Sequence, residues 1–331
     1  MKCAVIGVGN MGRHHARNYF EIKGWQLVAI ADQNSSLGKE LAKKYHCRFY
    51  KDYREMLKRE KFEAVSIATP TSTHYPVATD CIRAKKHVLI EKPIASSLNE
   101  AKNLIKKAQK NQVKLTVGHI ERFNPAIKKL KLMIDQGKFG KIKSLIFQRV
   151  GLIPLQIKDA NVIIDIGIHD IDLANFLLNA IPQKIIAFGG KVLTNHQEDH
   201  ADILLKYSSG VAHIQINWIT PTKIRRLMIT GTKGYAEIDY IDQKLIFYRH
   251  HYAQTYDNYG DFVIKFGRES KKRNILIKKS EPLKEELKSF LKSIRSDKEP
   301  EVTGKEALLA LKIALKISKI IKKGNKDKKK H

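Results

Sequence analysis

Three glycines, Gly7, Gly9 and Gly12, follow directly on the apolar run Lys2 to Ile6. Asp32 closes the next apolar run, Gln26 to Ala31, twenty positions beyond the third glycine. The glycines allow a tight turn between a strand and a helix opening near Asn10. They also let backbone approach a pyrophosphate at the positive end of that helix. A carboxylate ending the second strand accepts hydrogen bonds from an adenosine ribose and repels a 2'-phosphate. Strand, turn, helix, strand and acid arrive in order, so the segment is expected to hold a dinucleotide, NAD rather than NADP. Gly7, Gly9, Asn10, Met11, Gly12 and Asp32 would surround it.

The same strand-and-helix rhythm continues to about residue 119. Val28 to Ala31, Ala64 to Ala68, Val88 to Ile90 and Leu115 to Gly118 read as strands. Helices are expected near Asn10 to Phe20, Ser36 to Tyr45, Tyr53 to Glu60, His74 to Ala84 and Leu98 to Lys110. Alternation of this kind specifies an α/β domain, a doubly wound parallel sheet with helices on both faces. Its ligands bind at the carboxyl ends of the strands, where Gly7, Asp32, Thr69 and Glu91 fall.

Beyond a connecting helix near Pro125 to Gln136, strands separated by turns take over, from Ile142 to Val150 through Lys244 to Tyr248. Turn signals such as Ser208-Ser-Gly and Gly231-Thr-Lys-Gly separate consecutive runs. A second, α+β domain with an open, mostly antiparallel sheet is therefore expected. Two helices follow, one from Glu281 with Leu283, Leu287, Phe290, Leu291 and Ile294 on one face, the other opening with the capping box Thr303-Gly-Lys-Glu306. The domains so drawn are 1–119, 120–323 and a basic disordered tail, 324–331.

Among 331 residues the formal charge is +29, of which the last twenty residues contribute +8, leaving +21 over the other 311. The excess is diffuse and no nucleic-acid motif accompanies it, so no specific nucleic-acid partner is expected. Positive potential would still attract an anionic substrate. No apolar run approaches the roughly 18 to 20 residues of a membrane span, and a cytoplasmic location is expected. Cys3, Cys47 and Cys81 lack the spacing of a disulfide framework or a zinc site, and no metal is expected.

Two further clusters carry chemistry. Glu91-Lys-Pro93 follows the strand Val88 to Ile90, placing Lys92 at the sheet's carboxyl edge beside any nicotinamide. Burial and a positive ring favour an uncharged amine there, able to accept a proton. Alone, Lys92 would read as one solvated cation among 62. Asp165-Ile-Gly-Ile-His169 puts an acid and an imidazole four apart at a helix start, where they can orient a hydroxyl and take its proton. An N-capping aspartate with an incidental histidine is the alternative.

In combination, Gly7-Val-Gly-Asn-Met-Gly12, Ala68-Thr-Pro-Thr-Ser-Thr-His74, Glu91-Lys-Pro93 and Asp165-Ile-Gly-Ile-His169 resemble the Gfo/Idh/MocA family of NAD(P)-dependent oxidoreductases, over nearly the whole chain. The resemblance implies a Rossmann domain followed by an open-faced sheet that carries the substrate and commonly the interface of a homodimer or homotetramer. It implies that Lys92 and His169 flank the oxidised carbinol and that Asp165 binds substrate hydroxyls. Thr69, Pro70, Thr71, His74, Glu91 and Pro93 would shape the nicotinamide site.

Gly118-His-Ile-Glu-Arg-Phe-Asn-Pro125, Glu198-Asp-His-Ala-Asp-Ile-Leu-Leu205 and Trp218-Ile-Thr-Pro-Thr-Lys223 look like the branch whose members oxidise the 3-hydroxyl of UDP-N-acetylglucosamine and hand the keto product to an aminotransferase. Many family members carry glycines before the catalytic aspartate, whereas this chain has Ala160-Asn-Val-Ile-Ile164. A diphosphate needs cations, and Arg122, Lys223, Arg225 and Arg226 are of the right type, with Asn124 beside them. Solvated strand-edge charges are the competing reading of those cations. Inositol, a simple sugar or a UDP-uronate remain as other substrates, and a non-catalytic NAD-binding regulator as another class.

Overall fold

The apolar runs of the first 118 residues align into one six-stranded sheet in the computed structural model, which describes residues 1–153, 160–249, 252–256, 262–266 and 272–327. Its strands are β1 (Lys2–Ile6), β2 (Gln26–Ala31), β3 (Arg48–Tyr50), β4 (Ala64–Ile67), β5 (His87–Glu91) and β6 (Leu115–Gly118). They are all parallel, in the order β3-β2-β1-β4-β5-β6. The chain order reverses between β1 and β4, which opens a crevice at their carboxyl ends. Short β3 is the one strand of this sheet that the hydrophobic pattern did not reveal.

The connections are α1 (Gly12–Glu21), α2 (Ser35–Lys44), α3 (Tyr53–Arg59), α4 (Thr71–Arg83) and α5 (Leu98–Asn111). Caps explain several of their starts. Asn34 accepts the Leu37 N–H, Asp52 the Arg54 N–H, and Ser97 with Glu100 forms a complete capping box. Helix α4 begins three residues before the expected His74, directly after Pro70.

After a 3-10 turn at Ile120–Phe123 come α6 (Pro125–Asp135), β7 (Ile142–Leu152), a π-helical turn at Ile163–Gly167, and α7 (Ile168–Leu178). Next are β8 (Lys184–Gly190), β9 (His200–Lys206), β10 (Val211–Asn217), β11 (Ile219–Gly231), β12 (Gly234–Asp239) and β13 (Lys244–Arg249). The hairpin β14 (Tyr252–Tyr256) and β15 (Phe262–Phe266), β16 (Lys272–Ile275), α8 (Pro282–Arg295) and α9 (Gly304–Asp327) complete the chain. Strands β16-β13-β12-β11-β7-β10-β9-β8 form an eight-stranded sheet, antiparallel except for β7 and β10. Helices α6 and α7 pack on this sheet.

The chain divides into two units, Met1–Phe123 with Ser280–Ile313, and Asn124–Lys279 with Ala314–His331. The sequence-drawn domain 120–323 is corrected accordingly: the stripe Leu283, Leu287, Phe290 and Leu291 of α8 is buried with Val5, Tyr19 and Trp25 of the first unit. The Trp25 indole N–H donates to the Leu287 carbonyl at 3.1 Å, which fixes α8 there. The stripe marked a packed helix but carried no address for its partner. Helix α9 runs to Asp327, so the tail expected at 324–331 begins as helix, and 328–331 lie outside the described residues.

Candidate active site

The glycine turn has the geometry its spacing implies. Gly7 has φ +81°, and a Cβ there would stand 2.7 Å from the Ala68 carbonyl oxygen. At Gly12 a Cβ would stand 1.8 Å from the Gly7 carbonyl oxygen, so the turn closes only on a bare Cα. At Gly9 a Cβ would meet nothing within 4 Å, which leaves that side of the turn open. Met11, preceding α1, provides no side-chain cap, and Asn10 accepts a hydrogen bond from Arg13 at 3.1 Å. Uncapped N–H groups over a bare glycine turn suit a pyrophosphate.

Asp32 ties the fingerprint together. Its Oδ2 accepts the Val8 N–H at 2.6 Å and its Oδ1 the Asn34 N–H at 2.7 Å. A carboxylate oxygen has a second acceptor site, so ribose hydroxyls can still be bound. The residues present therefore fit NAD.

Around the expected nicotinamide end, Thr69 and Pro70 precede α4, and Thr71 is its first residue. His74 is buried, with Nδ1 2.8 Å from the Pro93 carbonyl oxygen and Nε2 2.9 Å from that of Thr69. Both partners are acceptors, so only a doubly protonated ring donates to both. His74 thus stitches the loop after β4 to the turn after β5. That turn holds the cis Lys92–Pro93 peptide, with Lys92 half-buried and Pro93 buried.

Glu91 ends β5 with its carboxylate buried. Oε1 lies 2.9 Å from His15 Nε2, and Oε2 accepts the Lys92 backbone N–H at 3.2 Å. Burial pushes its pKa up, but the hydrogen bond and charge of His15, with Lys92, outweigh that and hold it below the usual range. A Cβ on Gly118 would come 2.9 Å from Glu91 Oε2, so the neighbouring strand leaves room for the carboxylate.

In the second unit, Asp165 lies in the π-helical turn and His169 one residue inside α7, both half-buried. π-Helical turns are frequent at functional sites because the wider turn re-aims its side chains. Gly167 packs closely on β10, since a Cβ there would stand 2.7 Å from Ile216 Cδ1 and that side chain would have to shift. Arg149 on β7 grips Asp170, the neighbour of His169, through Nε to Oδ2 at 2.9 Å and Nη2 to Oδ1 at 2.8 Å. Its guanidinium also lies over the Tyr240 ring, 5.2 Å from the centroid. This buried fork fixes α7 on the sheet, and nothing in the sequence marked Arg149 for it.

The candidate diphosphate cations separate. Arg122 is buried and pairs with Glu306 Oε1 at 2.6 Å, which supports a structural role beside the substrate role expected of it. Asn124 is likewise a helix cap: its Oδ1 accepts the Ala126 N–H at 3.1 Å and its amide donates to the Tyr240 carbonyl at 3.1 Å. Lys223 is exposed on β11. Arg225 is half-buried, with Nη1 donating to the carbonyl oxygens of Val150 at 2.5 Å and Ile224 at 2.8 Å. Arg226 faces Asp239 at 3.8 Å.

Comparison with known proteins agrees with this geometry. Residues 1–119 match the oxidoreductase family with an NAD-binding Rossmann fold, and residues 127–237 the GFO/IDH/MocA C-terminal domain. The chain is 35% identical over 249 residues to UDP-N-acetylglucosamine 3-dehydrogenase of Acidithiobacillus ferrooxidans, spanning 75% of this chain and 77% of that protein. It is 27% identical over 324 residues to myo-inositol 2-dehydrogenase of Thermotoga maritima, spanning 94% and 93%. A solved structure of the Acidithiobacillus enzyme superposes with a TM-score of 0.85 at 30% identity, covering 97% of each chain. These relatives are dehydrogenases, which sets the non-catalytic regulator aside. With both halves matched and the cofactor turn intact, the chain belongs to the Gfo/Idh/MocA family and is an NAD-dependent oxidoreductase acting on CH–OH groups.

Proposed function

We propose that the chain oxidises the 3-hydroxyl of UDP-N-acetylglucosamine to the 3-keto sugar. The observation that carries this reading is the 35% identity, over three quarters of the chain, to an enzyme of that name. NAD, when bound, supplies the hydride acceptor. The C3 hydrogen leaves as hydride, the hydroxyl proton passes to Lys92 or His169, and C3 becomes a carbonyl. Asp165 orients sugar hydroxyls, and His74 and Glu91 hold the loops at the nicotinamide end. Lys223 and Arg225 are the cations proposed for the diphosphate. The reaction is placed in the cytoplasm, and an aminotransferase is the partner suited to the keto product.

An inositol is the second reading, favoured by the myo-inositol relative that matches more than nine tenths of this chain. A panel of UDP-N-acetylglucosamine, free N-acetylglucosamine, myo-inositol and a UDP-uronate, read by reduced-nicotinamide absorbance, decides between them. Oxidation of inositol with UDP-sugars inert overturns the nucleotide-sugar reading.

Copies are proposed to pair through the eight-stranded sheet, as a homodimer or homotetramer. Ile186, Leu204, His213, Ile146 and Met228 share one cross-strand row, and all five are at least partly exposed. A row that is apolar at four of its five positions, all but His213, supports an interface. Sedimentation of the purified protein as a monomer would exclude it.

A further inference from the structure

Helix α1 carries a buried polar chain that the cofactor fingerprint does not need. His15 is fully buried, and both of its ring nitrogens have partners: Nε2 meets Glu91 Oε1 at 2.9 Å and Nδ1 meets Ser66 Oγ at 3.1 Å. Ser66 Oγ in turn lies 2.7 Å from the Tyr19 hydroxyl. An ionised carboxylate only accepts, so Nε2 carries a proton and donates to Glu91, while the Ser66 hydroxyl satisfies Nδ1 as donor or acceptor. The line therefore runs Tyr19, Ser66, His15, Glu91 and ends at the Lys92 backbone N–H, 3.2 Å from Glu91 Oε2.

Packing alone does not account for this arrangement. Apolar side chains at positions 15, 66 and 91 would fill the same core without burying a charge. The strand beside the carboxylate is fitted to it: Gly118 leaves space that a Cβ would take, 2.9 Å from Glu91 Oε2. Restrained in this way, Glu91 has a fixed place, and the residue fixed with it is Lys92.

We propose that His15 is a positioning residue for Lys92: it holds the Glu91 carboxylate, which holds the backbone of the Glu91–Lys92–Pro93 turn. The proposal rests on the reading of Lys92 as a catalytic group. It also gives α1 two tasks. Its first turn faces the expected pyrophosphate, and its third residue beyond Gly12 anchors the catalytic turn, so one rigid helix sets the register of the dinucleotide-binding loop against the lysine.

The test uses the full chain with His15→Phe, His15→Gln and Lys92→Ala in parallel. The direct readout is amide hydrogen exchange at Lys92, whose N–H is the group Glu91 holds; Pro93 has none. In His15→Phe this exchange should accelerate at least about tenfold, since the hydrogen bond loses its support. NAD affinity should stay within roughly threefold, and kcat should fall about tenfold to a hundredfold with little change in KM, as expected of misplacement rather than lost binding. His15→Gln, whose side-chain amide can still donate to Glu91, should recover most of both.

Unchanged Lys92 exchange in His15→Phe overturns the proposal. So does a loss of turnover that follows lost NAD affinity or melting temperature and is not relieved by Gln. If Lys92→Ala keeps normal turnover, the reading of Lys92 fails, whereas the exchange experiment still reports separately on the hold of His15. Should His15→Phe not fold, His15→Leu, which also removes the Nε2 donor to Glu91 but with a smaller side chain, takes its place, and unchanged Lys92 exchange there overturns the proposal equally.

Discussion

Arg122 and Glu306, 184 residues apart in sequence, meet at 2.6 Å and join the turn after β6 to the first turn of α9. Arg122 Nη1 also reaches the Glu301 carbonyl at 3.5 Å, and Glu306 caps α9 by accepting the Thr303 N–H at 2.9 Å. One ion pair thus closes a helix start and returns the C-terminal chain to the parallel sheet. Burial pushes the Glu306 pKa up, but the charge and hydrogen bond of Arg122 outweigh this and hold it below the usual carboxylate range.

The consequence is a stability effect where a substrate effect was expected. Arg122→Ala should lose about 1.5 to 3 kcal/mol in denaturant unfolding at pH 7, the scale of a charge-assisted contact. KM should be hardly changed. Because the folded pKa of Glu306 is depressed, its contribution is present above the unfolded value near 4.3 and fades as pH falls through the folded one. The deficit of the mutant should therefore shrink in acid. A raised KM with unaltered stability would restore Arg122 to the substrate.

Asp32 should set cofactor choice. A preference for NAD over NADP of at least about tenfold, or 1.4 kcal/mol, is expected from a carboxylate facing a 2'-phosphate. Asp32→Ala should erase that preference, and it should also weaken NAD binding because the Val8 and Asn34 N–H groups lose their acceptor. Equal use of both cofactors by the unmodified protein would sink the assignment.

What the sequence revealed and what it hid divide along range. Gly7, Gly9, Gly12 and Asp32 were legible because strand–turn–helix geometry is local and admits few residue types at each position. The apolar stripe of α8 was legible as a helix face, but its destination beside Trp25 depends on contacts made 262 residues away. Arg122 had the charge of a diphosphate ligand, and no local pattern exposed its distant carboxylate partner. His15 gave a faint signal, a histidine on the inward stripe of α1 with Tyr19, but its meaning comes from Glu91, 76 residues on. Buried polar pairs of this kind obey no periodicity, so they emerge only when the fold brings them together.

For Lys92, an alanine replacement should leave NAD affinity nearly unchanged while lowering kcat by about 10² to 10⁴, the usual share of proton transfer. His169→Ala should behave alike, and the double mutant should be little worse than either single one if the two act as a unit. Strict additivity in single-turnover measurements would separate their roles. Turnover that survives Lys92→Ala would remove the lysine from the proton step.

Arg225 offers the sharpest test of the nucleotide. If its guanidinium meets a diphosphate, Arg225→Ala should raise KM for UDP-N-acetylglucosamine by a factor matching about 1.5 to 3 kcal/mol while NAD affinity holds. The Val150 and Ile224 carbonyl groups also lose a donor, so melting temperature must be followed beside KM. A fall in stability with unaltered KM would assign Arg225 to the sheet alone.

Glu286 is a costly side chain for the first unit to bury. It is 1% exposed, and neither carboxylate oxygen has a hydrogen-bond partner among the described residues. Burial, reinforced by the charge of Glu91, raises its pKa well above the usual value. In the unfolded chain the same group ionises near pH 4.3, so the unfolded state sheds a proton that the native state retains. Stability should therefore fall as pH rises above that value, by up to about 1.4 kcal/mol per pH unit, until the folded group itself titrates. Glu286→Met, of similar volume and without the orphaned oxygens, should gain about 1 to 3 kcal/mol near pH 5. Its gain should be larger at pH 8, where only the unmodified protein bears the titration penalty. Denaturant unfolding of both proteins at the two pH values is the measurement, and a gain that does not grow with pH would show that Glu286 does not hold its proton in the native state.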